Sequence, residues 1–167
     1  MKPEEFVKQF YPYAKKTQDK TGISAVVILA QAALESGWGD KAPGNMFFGV
    51  KDTDGVNGNE QLITTTEYHN TMDVKYPEII SITPCVISGK KKFRYKVKDY
   101  FRKYETPEEC FTDHTQFFFK NERYKKALFV KADPHAFADE IAKAGYATDP
   151  NYATTLHSII KRIDGIL

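Results

Sequence analysis

From Ala25 to Leu34 the chain reads AVVILAQAAL, with Gln31 as the only polar side chain. A helix on the surface of a protein carries a polar stripe. This one has none, so it must be buried over most of its circumference, and the remaining elements must pack around it. Ser24 is a credible N-cap, and Ile23 with Ile28 forms a hydrophobic staple, which sets where the helix starts. Gly37 and Gly39 set where it stops. Glu35 then falls in the last turn of an apolar helix, where desolvation and the negative end of the helix dipole both disfavour its ionised form. A carboxyl held protonated in this way suits a general acid, and Gln31, one turn earlier on the same face, is placed to orient it.

A length of 167 residues with 41% hydrophobic content is enough for one domain, residues 1–167, with a core of its own. The 12 Phe and 10 Tyr exceed what such a core needs, and surplus rings are what a carbohydrate site stacks sugars against. A net charge of +2 falls far short of the basic excess of a nucleic-acid binder. Cys85 and Cys110 stand in no zinc-ligand spacing, and no disulfide between them follows from the sequence. His69, His114, His135 and His157 form no ligand cluster, so neither a metal nor a cofactor is expected. No stretch is long enough to span a membrane. The first twenty residues are charged and lack the apolar core of a secretory signal.

Residues Pro3 to Lys20 read as a helix with Phe6, Phe10 and Tyr13 on one stripe, broken at Thr21-Gly22 and kinked or split at Pro12. After the central helix, Gly39, Gly44, Gly49, Gly55 and Gly58 punctuate a loop-rich wall. Gln61 to His69 is dense in β-branched residues and reads as a strand. Phe93, Tyr95 and Val97 alternate with basic residues as a second, giving a small β-hairpin or ribbon on a helical body. Residues 70–92 between them are longer than a hairpin needs and read as an insertion with a short strand at Ser81 to Ile87, either extending a cleft or wandering over the surface. Thr106-Pro107-Glu108-Glu109 is a capping box with Pro at N1. Phe111, His114, Thr115, Phe118 and Phe119 follow at helical spacing as core. Asn121 to Val130 gives a short helix, and Asp133-Pro134 starts another that ends at Gly145. Asp149 reads as the N-cap, with Pro150 at N1, of a last helix running to about Asp164.

Three groups of residues carry a family likeness. Ala30 to Gly39 reads AQAALESGWG, Asn45 to Lys51 reads NMFFGVK, and Ala144 to Ala153 reads AGYATDPNYA; Thr65-Thr66-Glu67 and Phe101-Arg102-Lys103-Tyr104 add to them. The chain resembles the N-acetylglucosaminidase family of bacterial cell-wall hydrolases, the flagellar-hydrolase and autolysin type (glycoside hydrolase family 73-like) within the lysozyme-like superfamily. Members read AQAALESGWG followed by a segment close to NNLFGIK, from which Met46 departs where a second asparagine is usual. The resemblance implies a mainly helical α+β fold, lysozyme-like, with a small β lobe forming the cleft. It implies Glu35 as the catalytic acid and brings Tyr146, and after it Tyr152, to the cleft beside that glutamate. Glu67 is the candidate second carboxylate. Gln31, Trp38, Asn45, Phe48, Tyr68 and Asp149 complete the implied sugar contacts.

Hydrolysis of a β-1,4 glycoside needs a proton for the leaving oxygen and a group that activates water or stabilises the oxocarbenium-like centre. Glu35 fits the first role and Glu67 the second. A 2-acetamido group on the substrate can instead act as the nucleophile, with Tyr146 orienting it, and the two routes stay open at this level. The implied activity is an endo-β-N-acetylglucosaminidase cutting peptidoglycan between N-acetylglucosamine and N-acetylmuramic acid. It would act as a monomer at the cell wall, periplasmic, extracellular or phage-delivered. A muramidase or lytic transglycosylase is the competing enzyme reading, and a non-catalytic wall-binding or assembly component is the competing reading of another class.

Overall fold

The computed structural model describes residues 1–53 and 58–167, so Gly55 of the glycine-punctuated wall lies outside the described residues. The chain divides into two compact units. A helical unit comprises residues 1–48 and 104–167, and a strand unit comprises residues 49–103. No helix among the described residues is long and apolar enough to cross a membrane.

In the helical unit, α1 spans Pro3–Thr21, α2 Ala25–Ser36, α3 Pro107–Lys120, α4 Lys125–Phe129, α5 Pro134–Lys143 and α6 Tyr152–Ile166. The apolar helix is central, since α2 packs against α1, α5 and α6. Val27, Leu29, Ala30 and Ala32 are fully buried, and each large aliphatic side chain so placed contributes about 1.5–3 kcal/mol over leaving it exposed. The Ser24 hydroxyl accepts the Val26 N–H, and Gly37 closes the helix in the left-handed conformation at φ 59°. Thr106 caps α3 by accepting the Glu109 N–H, with Pro107 at N1. Asp133 caps α5 by accepting the N–H groups of His135 and Ala136.

Three expectations for this unit need correction. Pro12 does not split α1, which runs unbroken for 19 residues. Pro12 and Lys8, whose carbonyl loses its helical partner, both face solvent, where water can satisfy the freed group. Phe119 is 41% exposed, because the buried stripe of α3 runs through Phe111, Thr115 and Phe118 instead. Asp149 is not the cap of α6, which starts at Tyr152 after Asn151. Its Oδ1 accepts the Asn151 N–H at 2.8 Å in a turn that precedes the helix.

In the strand unit, β1 spans Glu60–His69, β2 Glu78–Ile87 and β3 Lys90–Arg102. They form an antiparallel sheet in the order β1-β3-β2, so the expected two-stranded ribbon gains a third strand and β3 is the middle one. The strand read at Ser81 to Ile87 is present and starts three residues earlier, at Glu78. It joins β3 through Ser88 and Gly89, both at positive φ, as a tight two-residue hairpin turn requires. Pro84 is tolerated because β2 is an edge strand. Tyr95 and Val97 are fully buried, and the Tyr95 hydroxyl donates to the Thr71 carbonyl at 2.8 Å, tying the start of the 70–92 segment to β3.

Candidate active site

Glu35 is the penultimate residue of α2. It is exposed on one side, yet burial of its surroundings raises its carboxyl above the ordinary glutamate range. The same unit holds Tyr146 and Tyr152, whose rings lie 5.4 Å apart. Burial pushes both phenols well above their usual range. The neighbouring Tyr152, Glu35 and Tyr124 add to the effect at Tyr146, and Glu35 and Tyr124 add to it at Tyr152. Both therefore remain protonated donors at any working pH. Gln31 does not reach Glu35 as expected. Its Nε2 donates to the Tyr152 hydroxyl at 3.0 Å, because α6 lies against the buried side of α2 where Gln31 points, while Glu35 turns outward.

Sequence reasoning took His114 for simple core. It is a partner of Tyr146, since its Nε2 and the Tyr146 hydroxyl lie at 2.9 Å. Part of the residue is accessible, but its ring is stacked on Phe48 at 3.7 Å and 11° and meets Phe118 edge-on at 5.3 Å. That burial lowers its pKa to about 3, so the imidazole is neutral at physiological pH. The consequence for stability has a definite sign. Below the ordinary histidine value of 6.5 the unfolded chain takes up a proton that the folded chain refuses until pH about 3. This site's contribution is thus complete above pH 6.5 and is lost, by up to about 1.4 kcal/mol per pH unit, as pH falls through that window. A His114→Gln variant should show a shallower fall in urea midpoint between pH 6.5 and 4. A slope equal to the wild type would count against a buried neutral imidazole.

The remaining candidates of the helical unit occupy varied settings. Trp38 sits at φ 56°, just after the Gly37 cap, and its ring meets Phe6 edge-on at 5.5 Å. The Asn45 side-chain amide donates to the carbonyls of Tyr104 at 3.0 Å and Glu105 at 3.2 Å, which leaves its Oδ1 as the group open to a ligand. Asp149 is exposed at the turn before α6. Tyr124 is fully buried with its hydroxyl unpartnered, 6.3 Å from Tyr146 between ring centres.

In the strand unit, Glu67 lies on β1 with its carboxylate 3.2 Å from Lys51 Nζ, and the same ammonium is 3.3 Å from Asp99 on β3. Burial pulls the Lys51 ammonium down, but the bonds to Glu67 and Asp99 outweigh it and hold its pKa above the usual lysine value. Tyr68 is 51% exposed, and as the next residue along the strand it projects from the opposite face to Glu67. The two cannot serve one site from one face of the sheet. Asp99 was legible in principle, since it alternates with Tyr95 and Val97 on the face that carries Glu67.

Histidines from different helices do meet. His135 and His157 approach at 2.6 Å between Nδ1 atoms, and His157 Nε2 lies 2.6 Å from Asp139, which links α5 to α6. Spacing along one helix could not reveal this. Among the described residues no group of His, Cys, Asp or Glu is arranged to hold a metal ion, and Cys85 and Cys110 are free thiols.

A carboxyl raised above its ordinary range at the end of a buried helix thus has phenols that stay protonated as its near neighbours. The chain belongs to the glucosaminidase family, described as mannosyl-glycoprotein endo-beta-N-acetylglucosaminidase, whose pattern matches residues 11–165. The peptidoglycan hydrolase FlgJ of Salmonella typhimurium is 35% identical over 167 residues, covering 96% of this chain and 46% of that protein. The exo-glucosaminidase LytG of Bacillus subtilis is 30% identical over 166 residues, covering 95% and 51%. The solved glycoside hydrolase domain of the Salmonella typhimurium FlgJ superposes with a TM-score of 0.73 at 29% identity, over 99% of this chain and 91% of that one, which shows the α+β lysozyme-like fold. The chain spans about half the length, or less, of these curated relatives.

Proposed function

We propose that this chain hydrolyses peptidoglycan as an endo-β-N-acetylglucosaminidase, cutting the β-1,4 bond between N-acetylglucosamine and N-acetylmuramic acid at the cell wall, as a monomer and without a cofactor. The observation that carries the reading is the raised pKa of Glu35 at the end of α2, in a glycoside hydrolase family. Glu35 gives its proton to the leaving oxygen as the C1–O bond breaks. Water adds to C1, and its proton passes to Glu67 acting as base. Tyr146, protonated and bonded to His114, supplies a donor for the sugar's acetamido oxygen. Tyr152 and the Oδ1 of Asn45 offer further polar groups, and Trp38 and Phe48 offer ring faces. Tyr68 is the weakest of these assignments, because it leaves the sheet on the side away from Glu67.

Product analysis tests the bond. Purified peptidoglycan digested with the enzyme, reduced with borohydride and analysed by mass spectrometry should show glucosaminitol at the new ends of muropeptide fragments. Muramitol or anhydro-muramic ends would overturn the assignment in favour of a muramidase or lytic transglycosylase. Release of single sugars alone, from chain ends, would overturn the endo mode.

A further inference from the structure

We infer that Lys51 is a positioning residue for the proposed reaction: its ammonium, shared between Glu67 and Asp99, holds the Glu67 carboxylate in place on one face of the sheet. The inference rests on the reading of Glu67 as the base that activates water. Lys51 is itself held in place. Its backbone bridges to Phe101 of β3, the Val50 carbonyl accepts the Arg102 N–H at 2.8 Å, and the Asp52 N–H donates to the Tyr100 carbonyl at 3.0 Å. The side chain thus leaves the backbone from a stitched position and ends 3.2 Å from Glu67 and 3.3 Å from Asp99.

The charge balance on this face is narrow. Glu67 pairs with Tyr95 and Asp99 with Ile63 across the β1–β3 ladder, so both carboxylates project to the same side. The other titratable groups there are His69, Tyr76 and Tyr95. The His69 ring and the Tyr76 hydroxyl bond to each other, and the Tyr95 hydroxyl donates to Thr71. From β2 the residues paired to this face are Ile79 and Ile82, which carry no charge. Among the described residues Lys51 is the one cation in ion-pair contact with either carboxylate. With the Lys51 side chain 43% exposed, the cluster adds little stability, so two carboxylates on one cation make poor sense as a mere staple. Without Lys51 the two carboxylates would face each other uncompensated.

The test is the pH dependence of kcat/KM on purified peptidoglycan. Glu67→Gln should lose about 100-fold or more at every pH, the scale of a general base. Lys51→Met should shift the acid limb upward by about one pH unit, costing about tenfold well below the midpoint of that limb and recovering towards the optimum. Lys51→Arg should stay within about threefold of wild type, since it keeps the charge. Lys51→Met combined with Asp99→Asn should bring the limb back towards its original position, and the Lys51→Met shift should persist in a His69→Gln background. A folded Lys51→Met with an unmoved limb overturns the inference. Should Lys51→Met fail to fold, Asp99→Asn alone decides, because it leaves the ammonium to Glu67 and should move the limb to lower pH; an unmoved limb again overturns the proposal. Glu67→Gln within about tenfold of wild type overturns instead the reading of Glu67 as base.

Discussion

Glu35→Gln is expected to lower the rate of clearing of a peptidoglycan suspension by at least about two orders of magnitude while leaving the helical circular dichroism unchanged. Its effect on stability should run the other way. Because burial raises the folded-state pKa of this carboxyl above the unfolded value of 4.5, ionisation at neutral pH opposes folding. Glutamine removes that opposition, so the variant should melt no lower than wild type at pH 7, and any gain should disappear below pH 4.5, where the unfolded carboxyl is protonated too. Loss of activity together with a lowered melting temperature at pH 7 would mark Glu35 as structural. Near-normal activity would remove it from the mechanism.

Phe118→Ala should be the most damaging single truncation outside α2, destabilising by about 3–5 kcal/mol in urea titration. Phe118 is 1% exposed, and its ring lies 5.2 Å from both Tyr124 and Phe137, 5.3 Å from His114 and 5.6 Å from Tyr146. The cavity would open beneath two residues of the candidate site. Turnover well below the melting temperature should therefore fall as well, and Phe118→Leu, which refills most of the volume, should recover much of both losses. A destabilisation under about 1 kcal/mol would mean that the aromatic cluster closes over the gap.

What the sequence revealed follows from which interactions are local. The start and end of α2, the caps of α3 and α5 and the raised pKa of Glu35 depend on residues within a turn or two of one another, and all were legible. The alternation along β3 disclosed its faces but not its neighbours, so its place between β1 and β2 was not. Contacts between residues far apart along the chain left no trace in spacing. His114 against Tyr146, Gln31 against Tyr152, and His135 against His157 belong to this class. Tyr146 itself was singled out only through its resemblance to a known segment, since nothing in the periodicity distinguishes it from the other tyrosines. Pro12 does not split α1 as it could have, because the Lys8 carbonyl that it frees faces water, which the sequence does not disclose.

The helical unit is assembled from two stretches of chain separated by 55 intervening residues, and the Tyr104 N–H reaches the Gly44 carbonyl at 2.9 Å across that gap. Within the strand unit, Val50 and Arg102 are likewise joined, so the excursion leaves and returns through adjacent backbone. The entropy of closing such a loop grows only with the logarithm of its length, and doubling it costs roughly 0.6 kcal/mol. Lineages can therefore lengthen, shorten or exchange the strand unit at small thermodynamic expense to the helical unit that carries Glu35 and Tyr146. The strand unit is free to diversify in one part of the chain while Glu35 and Tyr146 stay anchored in another.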